Sequence, residues 1–170
     1  MWPVTELVTY GFNASQAPVG QGGTHLTPKE FHEAMKDENS VMIDVRNYNE
    51  SVIGRFKPPG DRVLDPQMRK STEFPQWVQD HYNELQGKKV LMYCTGGIRC
   101  ERASAYLTSI GLTDINQLEG GIHRYLEAYE EDGGFWIGKN YTFDKRYSHG
   151  AKKSEVISKC VVCGAPWERY

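Results

Sequence analysis

Val90-Leu91-Met92-Tyr93-Cys94-Thr95-Gly96-Gly97-Ile98-Arg99-Cys100-Glu101-Arg102 decides the fold. Its opening apolar run reads as a strand buried on both faces. Glu101 to Leu107 reads as helix, with Ala103, Tyr106, Leu107 and Ile110 on one face and Gly111 as its stop. A strand, a glycine-bearing loop and a helix start, in that order, build an anion site out of backbone. Loop N–H groups and the positive end of the helix dipole converge on the residue at the strand's end. That residue is Cys94. Such surroundings favour thiolate over thiol, which makes Cys94 a candidate nucleophile at neutral pH. Taken alone, a cysteine at a strand end is a small buried hydrophobe. The Gly96-Gly97 pair, Arg99 and the helix start turn the reading toward chemistry. Thr95, Gly96, Gly97, Ile98 and Arg99 form the candidate binding loop, with Arg99 either pairing with a charged substrate or bracing the loop.

From Cys94 to Arg99 the spacing is Cys-x4-Arg, one residue shorter than the Cys-x5-Arg of cysteine phosphatases. A shorter ring suits a sulfur carried on Cys94 better than a tetrahedral phosphate. Tyr93 stands where such phosphatases usually carry histidine, and His81 and His123 read as helix-surface or half-buried packing. Sulfur transfer is the chemistry that fits best. Cys100, in the first helical turn, is either a helix residue packed on the sheet or a thiol that resolves an oxidised Cys94. The second role requires Cα atoms within about 7 Å.

Working outward, residues 1–23 are rich in Gly, Pro, Gln and Asn and read as a lead-in or linker. Thr27-Pro28-Lys29-Glu30 is a capping box with proline at the first helical position, and Phe31, Ala34 and Met35 give that helix its apolar face. Val41 to Val45 is a second buried strand, followed by an irregular stretch to about Ser71. Trp77, Val78, His81, Tyr82 and Leu85 recur at helical spacing and read as core. Ile115 to Leu118 is a third strand, and Gly120-Gly121 opens a helix with Ile122, Tyr125, Leu126 and Tyr129 inward. Three strands alternating with helices predict an open parallel α/β sheet with helices on both faces. Ligands in such sheets sit at the carboxyl ends of strands, where Cys94 falls. Asp44, late in its own strand, is expected to hold a loop by pairing with Arg46 or Arg99. Phe135-Trp136-Ile137-Gly138 and Tyr141-Thr142-Phe143 read as a small C-terminal hairpin, followed by a Cys160-x2-Cys163 knuckle.

Four blocks make the chain resemble a rhodanese domain, of the subfamily that holds bacterial tRNA wobble-uridine hydroxylases and related eukaryotic sulfurtransferases. They are Met42-Ile43-Asp44-Val45-Arg46-Asn47 with Glu50, Ile53-Gly54-Arg55-Phe56-Lys57, Met92 to Glu101, and Gln117-Leu118-Glu119-Gly120-Gly121-Ile122. Tyr141 to Tyr147 is similar to that subfamily's Phe-Asp-Glu-Arg block, with Lys145 in the place of glutamate. The resemblance implies a rhodanese-like fold in which Cys94 carries a persulfide cradled by Thr95 to Arg99. It implies a rhodanese domain over 24–132 and a C-terminal extension over 133–170. Where the subfamily continues with Gly-Ala, this chain has Pro58-Pro59-Gly60-Asp61, a stiff segment able to alter substrate preference if it borders the site.

Three activities follow as expectations. The first is transfer of a sulfane sulfur from thiosulfate or a persulfide, through Cys94, to a thiol or cyanide. The second, from the resemblance, is modification of a tRNA uridine, with tRNA as a partner of a full-length protein. The third is a low-turnover persulfide-binding module. No cofactor is expected. In the subfamily the knuckle precedes further cysteines, so Cys160 and Cys163 are expected to be half of a zinc site rather than a metal centre by themselves. The 170 residues are 39% hydrophobic and 25% charged with net charge −2, which suits a sizeable core and gives no global attraction to nucleic acid. No membrane span or secretion signal is visible, and the four cysteines argue for a reducing, cytoplasmic setting.

Overall fold

The computed structural model describes residues 6, 8–13, 15–18, 20–143 and 147–167. Its centre is a parallel five-stranded sheet in the order β1-β6-β5-β2-β4, formed by β1 (Thr24–Leu26), β2 (Ser40–Asp44), β4 (Val63–Leu64), β5 (Lys89–Tyr93) and β6 (Ile115–Leu118). β2 and β5 pair over their whole length, with Asp44 opposite Tyr93. Period-2 alternation along these strands sorts two cores. Val41, Ile43, Val90 and Met92 face α3 (Phe74–Leu85) and α4 (Ile98–Ser109). Met42, Leu91 and Tyr93 face α1 (Pro28–Ala34) and α5 (Gly121–Ala128). The open α/β sheet covered on both faces is therefore present, and α1 carries the capping box between Thr27 and Glu30.

Two sheet strands escaped the periodicity. β1 and β4 contain too few residues to show alternation, and β4 lies inside the stretch read as irregular, together with α2 (Tyr48–Ser51) and β3 (Gly54–Phe56). The C-terminal hairpin is built differently from the expectation. β7 (Trp136–Gly138) pairs antiparallel with β3, while β8 (Asn140–Tyr141) pairs with β9 (Ser148–His149). The pairing of β7 is long-range because Trp136 buries against Phe56 and Tyr93 in the core, edge to face with Phe56 at 5.0 Å. The lead-in is not a free linker either. Tyr10, Phe12 and Ala17 are buried, Phe12 stacks on Tyr106 at 4.4 Å, and Glu6 pairs with Arg102 at 2.7 Å. Glycine- and proline-rich composition concealed those aromatic anchors. Among the described residues no helix is long and apolar enough to cross a membrane.

Candidate functional site

β5 ends at Tyr93, α4 begins at Ile98, and the turn between them wraps the Cys94 sulfur. Gly97 makes the turn possible: it caps α4 with φ +93, a left-handed conformation costly for any residue bearing a Cβ. Its N–H donates to Cys94 Sγ at 3.1 Å. The first turn of α5 fixes the other side of the loop. Ile122 N–H donates to the Cys94 carbonyl at 3.0 Å and His123 N–H to the Thr95 carbonyl at 3.2 Å. With these carbonyls engaged outward, the loop N–H groups are left to turn inward on the sulfur.

The Cys94 thiol is held down to about 5, first by a hydrogen bond from the Cys100 thiol, then by the Arg99 charge and the N–H groups of Cys100 and Arg99, all against the opposing effect of burial. The Cys100 thiol shifts the other way, well up, because it is buried and faces a neighbouring anion. Cys100 is buried in the core, on the side of the sheet covered by α3 and α4. None of these influences comes from an imidazole.

Arg99 braces the loop. Its Nη1 and Nη2 donate to Glu50 Oε2 and Oε1 at 2.6 and 2.7 Å, and Nη2 also reaches Thr95 Oγ1 at 3.1 Å. Thr95 Oγ1 donates to Glu50 Oε1 at 3.1 Å, closing a three-residue ring. Burial raises the Glu50 carboxyl, but the Arg99 hydrogen bonds and charge outweigh it and leave the group below the usual carboxylate range. Of the two roles open to Arg99, the geometry thus favours bracing, while its charge still reaches the sulfur. Glu50 is the site residue that spacing alone does not find. Asn47 N–H donates to its Oε2 at 3.1 Å in the capping box of α2, and Asn47-x-x-Glu50 was the readable signal.

Behind this ring lies a second buried pair. Asp44 takes Arg46 Nη2 at 2.6 Å and Nε at 2.9 Å, and accepts the Tyr93 hydroxyl at 2.9 Å. Arg46 also donates to the carbonyls of Glu50 and Gly54 at 3.2 and 2.7 Å. Asp44 therefore pairs with Arg46 and not with Arg99, and Arg46 ties α2, which carries Glu50, to the sheet.

Cys94 is only 1% exposed, so the sulfur lies at the floor of the site and not on the surface. Above it is a cavity of about 520 Å³ lined by Cys94, Thr95, Gly96, Ile98 and Arg99, together with Val8, Asn47, Ser71 and Phe143. Ile98 and Phe143 are largely exposed and form its mouth. Pro58 and Pro59 are not among its lining residues, so the stiff segment does not border this cavity. His81 stacks on Trp77 at 4.3 Å and His123 pairs with Glu127 at 3.3 Å; both serve helix surfaces. In the C-terminal segment, Cys160 is held below the ordinary thiol range by the N–H groups of Cys163 and Val162. No group of three or more metal-ligating side chains occurs among the described residues. Asp144, Lys145 and Arg146 of the later block lie outside the described residues.

A parallel α/β sheet with a cysteine loop at the carboxyl end of a central strand defines the class. The rhodanese-like domain model matches residues 27–128 and the rhodanase C-terminal model residues 137–170. The chain belongs to the rhodanese family. It is 40% identical to rhodanese-like domain-containing protein 6 of Arabidopsis thaliana over 98% of this chain and 30% of that protein. It is 40% identical to the tRNA uridine(34) hydroxylase of Brucella ovis over 95% of this chain and 52% of that protein. The chain thus spans about half, or less, of the curated relatives it matches. Among solved structures, the rhodanese-like domain of an Anabaena protein superimposes with TM-score 0.52 at 17% identity, covering 80% of this chain and 92% of that one. A yeast protein tyrosine phosphatase of the rhodanese family gives 0.53 at 18%, covering 69% and 93%. Both share the fold.

Proposed function

We propose that this chain is a sulfurtransferase in which Cys94 accepts a sulfane sulfur and hands it on. The observation that carries the reading is the sulfur at the cavity floor, accepting the Gly97 N–H at 3.1 Å in surroundings that favour negative charge. Cys94 thiolate attacks the outer sulfur of thiosulfate or a small persulfide. For thiosulfate the S–S bond breaks, sulfite leaves with the electron pair, and Cys94–S–S⁻ remains. Thr95 to Arg99 cradle the terminal sulfur, and the ring of Glu50, Arg99 and Thr95 keeps the cradle from collapsing. An acceptor thiolate, or cyanide in an assay, then takes the terminal sulfur and regenerates Cys94 thiolate. Asp44 and Arg46 support the loop from behind. Thiosulfate plus cyanide should yield thiocyanate, and Cys94→Ser should abolish it. Failure of Cys94 to gain the mass of one sulfur from thiosulfate or from a small-molecule persulfide overturns the reading.

A second reading, modification of a tRNA uridine with Cys94 essential, is favoured by the names of relatives that align with nearly the whole chain. It predicts a salt-sensitive complex with tRNA. A low-turnover persulfide-binding module would load Cys94 and never discharge it to an acceptor.

A further inference from the structure

The mouth of the Cys94 cavity contains a feature that sulfur relay from a small donor does not use. Phe143 is 73% exposed, an unusual position for a large apolar ring beside a reactive group. Its placement is controlled. Thr142 N–H donates to the Tyr147 carbonyl at 2.9 Å, extending the β8–β9 ladder, so Phe143 directly follows the last paired residue of that ladder. Tyr141 meets the ring edge to face at 4.9 Å, and the Arg99 guanidinium lies 5.8 Å from its centroid. A ring held by its neighbours and still largely open to solvent presents apolar surface to whatever approaches Cys94. The hairpin lies within the residues matched by the C-terminal model, beyond those matched by the rhodanese-like domain model. In sequence, Asp144 and then the basic pair Lys145 and Arg146 follow Phe143, and Tyr141 and Tyr147 flank it. Aromatic residues interleaved with basic ones form the composition that binds unpaired nucleotides through stacking and backbone charge.

We infer that Phe143 is a specificity-determining residue: a stacking platform that receives one unpaired pyrimidine base of an RNA substrate at the mouth of the Cys94 cavity. This rests on the second reading above, that the chain acts on a tRNA uridine. A cavity of about 520 Å³ lies within the range of small-ligand sites and has room for a base but not for a duplex. Unpaired bases are the part of RNA whose faces are open to a side-chain ring. The hairpin gives the rhodanese unit a recognition surface while leaving the sulfur loop unchanged.

The test uses the full chain, an RNA stem–loop of anticodon type with uridine at the wobble position, and the same stem–loop with an abasic residue there. Dissociation constants are measured by anisotropy for wild type, Phe143→Leu, Phe143→Tyr and Phe143→Trp, with thermal melts confirming that each folds. Replacing the ring by leucine should weaken uridine stem–loop binding about 5- to 140-fold, the factor expected for one stacked base. Both aromatic variants should bind close to wild type, and the tryptophan of Phe143→Trp should be quenched by the uridine RNA and not by the abasic one. Abasic RNA should bind wild type and Phe143→Leu alike. Equal binding of the uridine stem–loop by wild type and Phe143→Leu overturns the platform and leaves the tRNA reading standing. No binding of either RNA by wild type overturns the tRNA reading, and the platform with it.

Discussion

Replacing Glu50 by glutamine keeps the shape of the side chain, removes its charge and turns one of its two acceptor oxygens into a donor. In the folded protein that charge accepts two hydrogen bonds from Arg99, at 2.6 and 2.7 Å, with the carboxylate side chain 4% and the guanidinium 12% exposed. Removing one partner of a buried ion pair costs about 3–5 kcal/mol, because the other charge is left buried and unmatched. Arg99 keeps Thr95 and borders a cavity that water can enter, which sets the cost near the lower bound, about 3 kcal/mol. For a domain of this size that corresponds to a fall in Tm of about 6–12 °C, measured by circular dichroism at pH 7. Replacing both partners, as in Glu50→Leu with Arg99→Leu, should cost less than Glu50→Gln alone. The pH dependence has a definite sign. Glu50 has a lowered pKa in the folded state, so its stabilisation is complete above the unfolded carboxylate pKa and is lost as pH falls through the folded value. Glu50→Gln should accordingly show a flatter decline of Tm in acid. A Glu50→Gln protein melting within about 2 °C of wild type would refute the brace.

Three other outcomes follow. Cys100→Ala removes the thiol that does most to hold the Cys94 sulfur ionised and should move the Cys94 pKa upward, while Cys100→Ser, which keeps an O–H there, should move it less; pH-dependent alkylation reads both. Gly121→Ala would place a Cβ 2.6 Å from the Cys94 carbonyl oxygen and 2.7 Å from Gly96 N, at φ +65. It should destabilise by more than about 1 kcal/mol in chemical denaturation and raise the Cys94 pKa by displacing the loop. Arg46→Met strands Asp44, itself buried, and should cost about 3–5 kcal/mol in the same denaturation assay.

The strand, loop and helix around Cys94 were legible because each announces itself locally: an unbroken apolar run, a glycine pair, and an apolar stripe at helical spacing. The Thr27 capping box and the β6–α5 junction were readable for the same reason. What escaped was set by distance along the chain. β4 joins the sheet through only two residues, Val63 and Leu64, which carry no pattern until β2 is beside them. β7 chooses β3 because Trp136 needs a buried partner, and no nearby residue discloses that choice. Glu50 caps α2 locally, and its pairing with Arg99 exists only once the sheet brings α2 to the loop. The aromatics at Tyr10 and Phe12 were masked by surrounding glycine and polar residues, although they cover α4.

Ionisation of one thiol bears most of the weight. The rate of iodoacetamide alkylation at the peptide containing Cys94, followed by mass across pH, measures it directly and separates it from the knuckle cysteines. A midpoint of about 5, with the rate level at neutral pH, is the predicted result. A midpoint near the ordinary thiol value of about 8.5 would show that the loop does not hold the charge, and sulfur transfer through Cys94 would lose its physical basis.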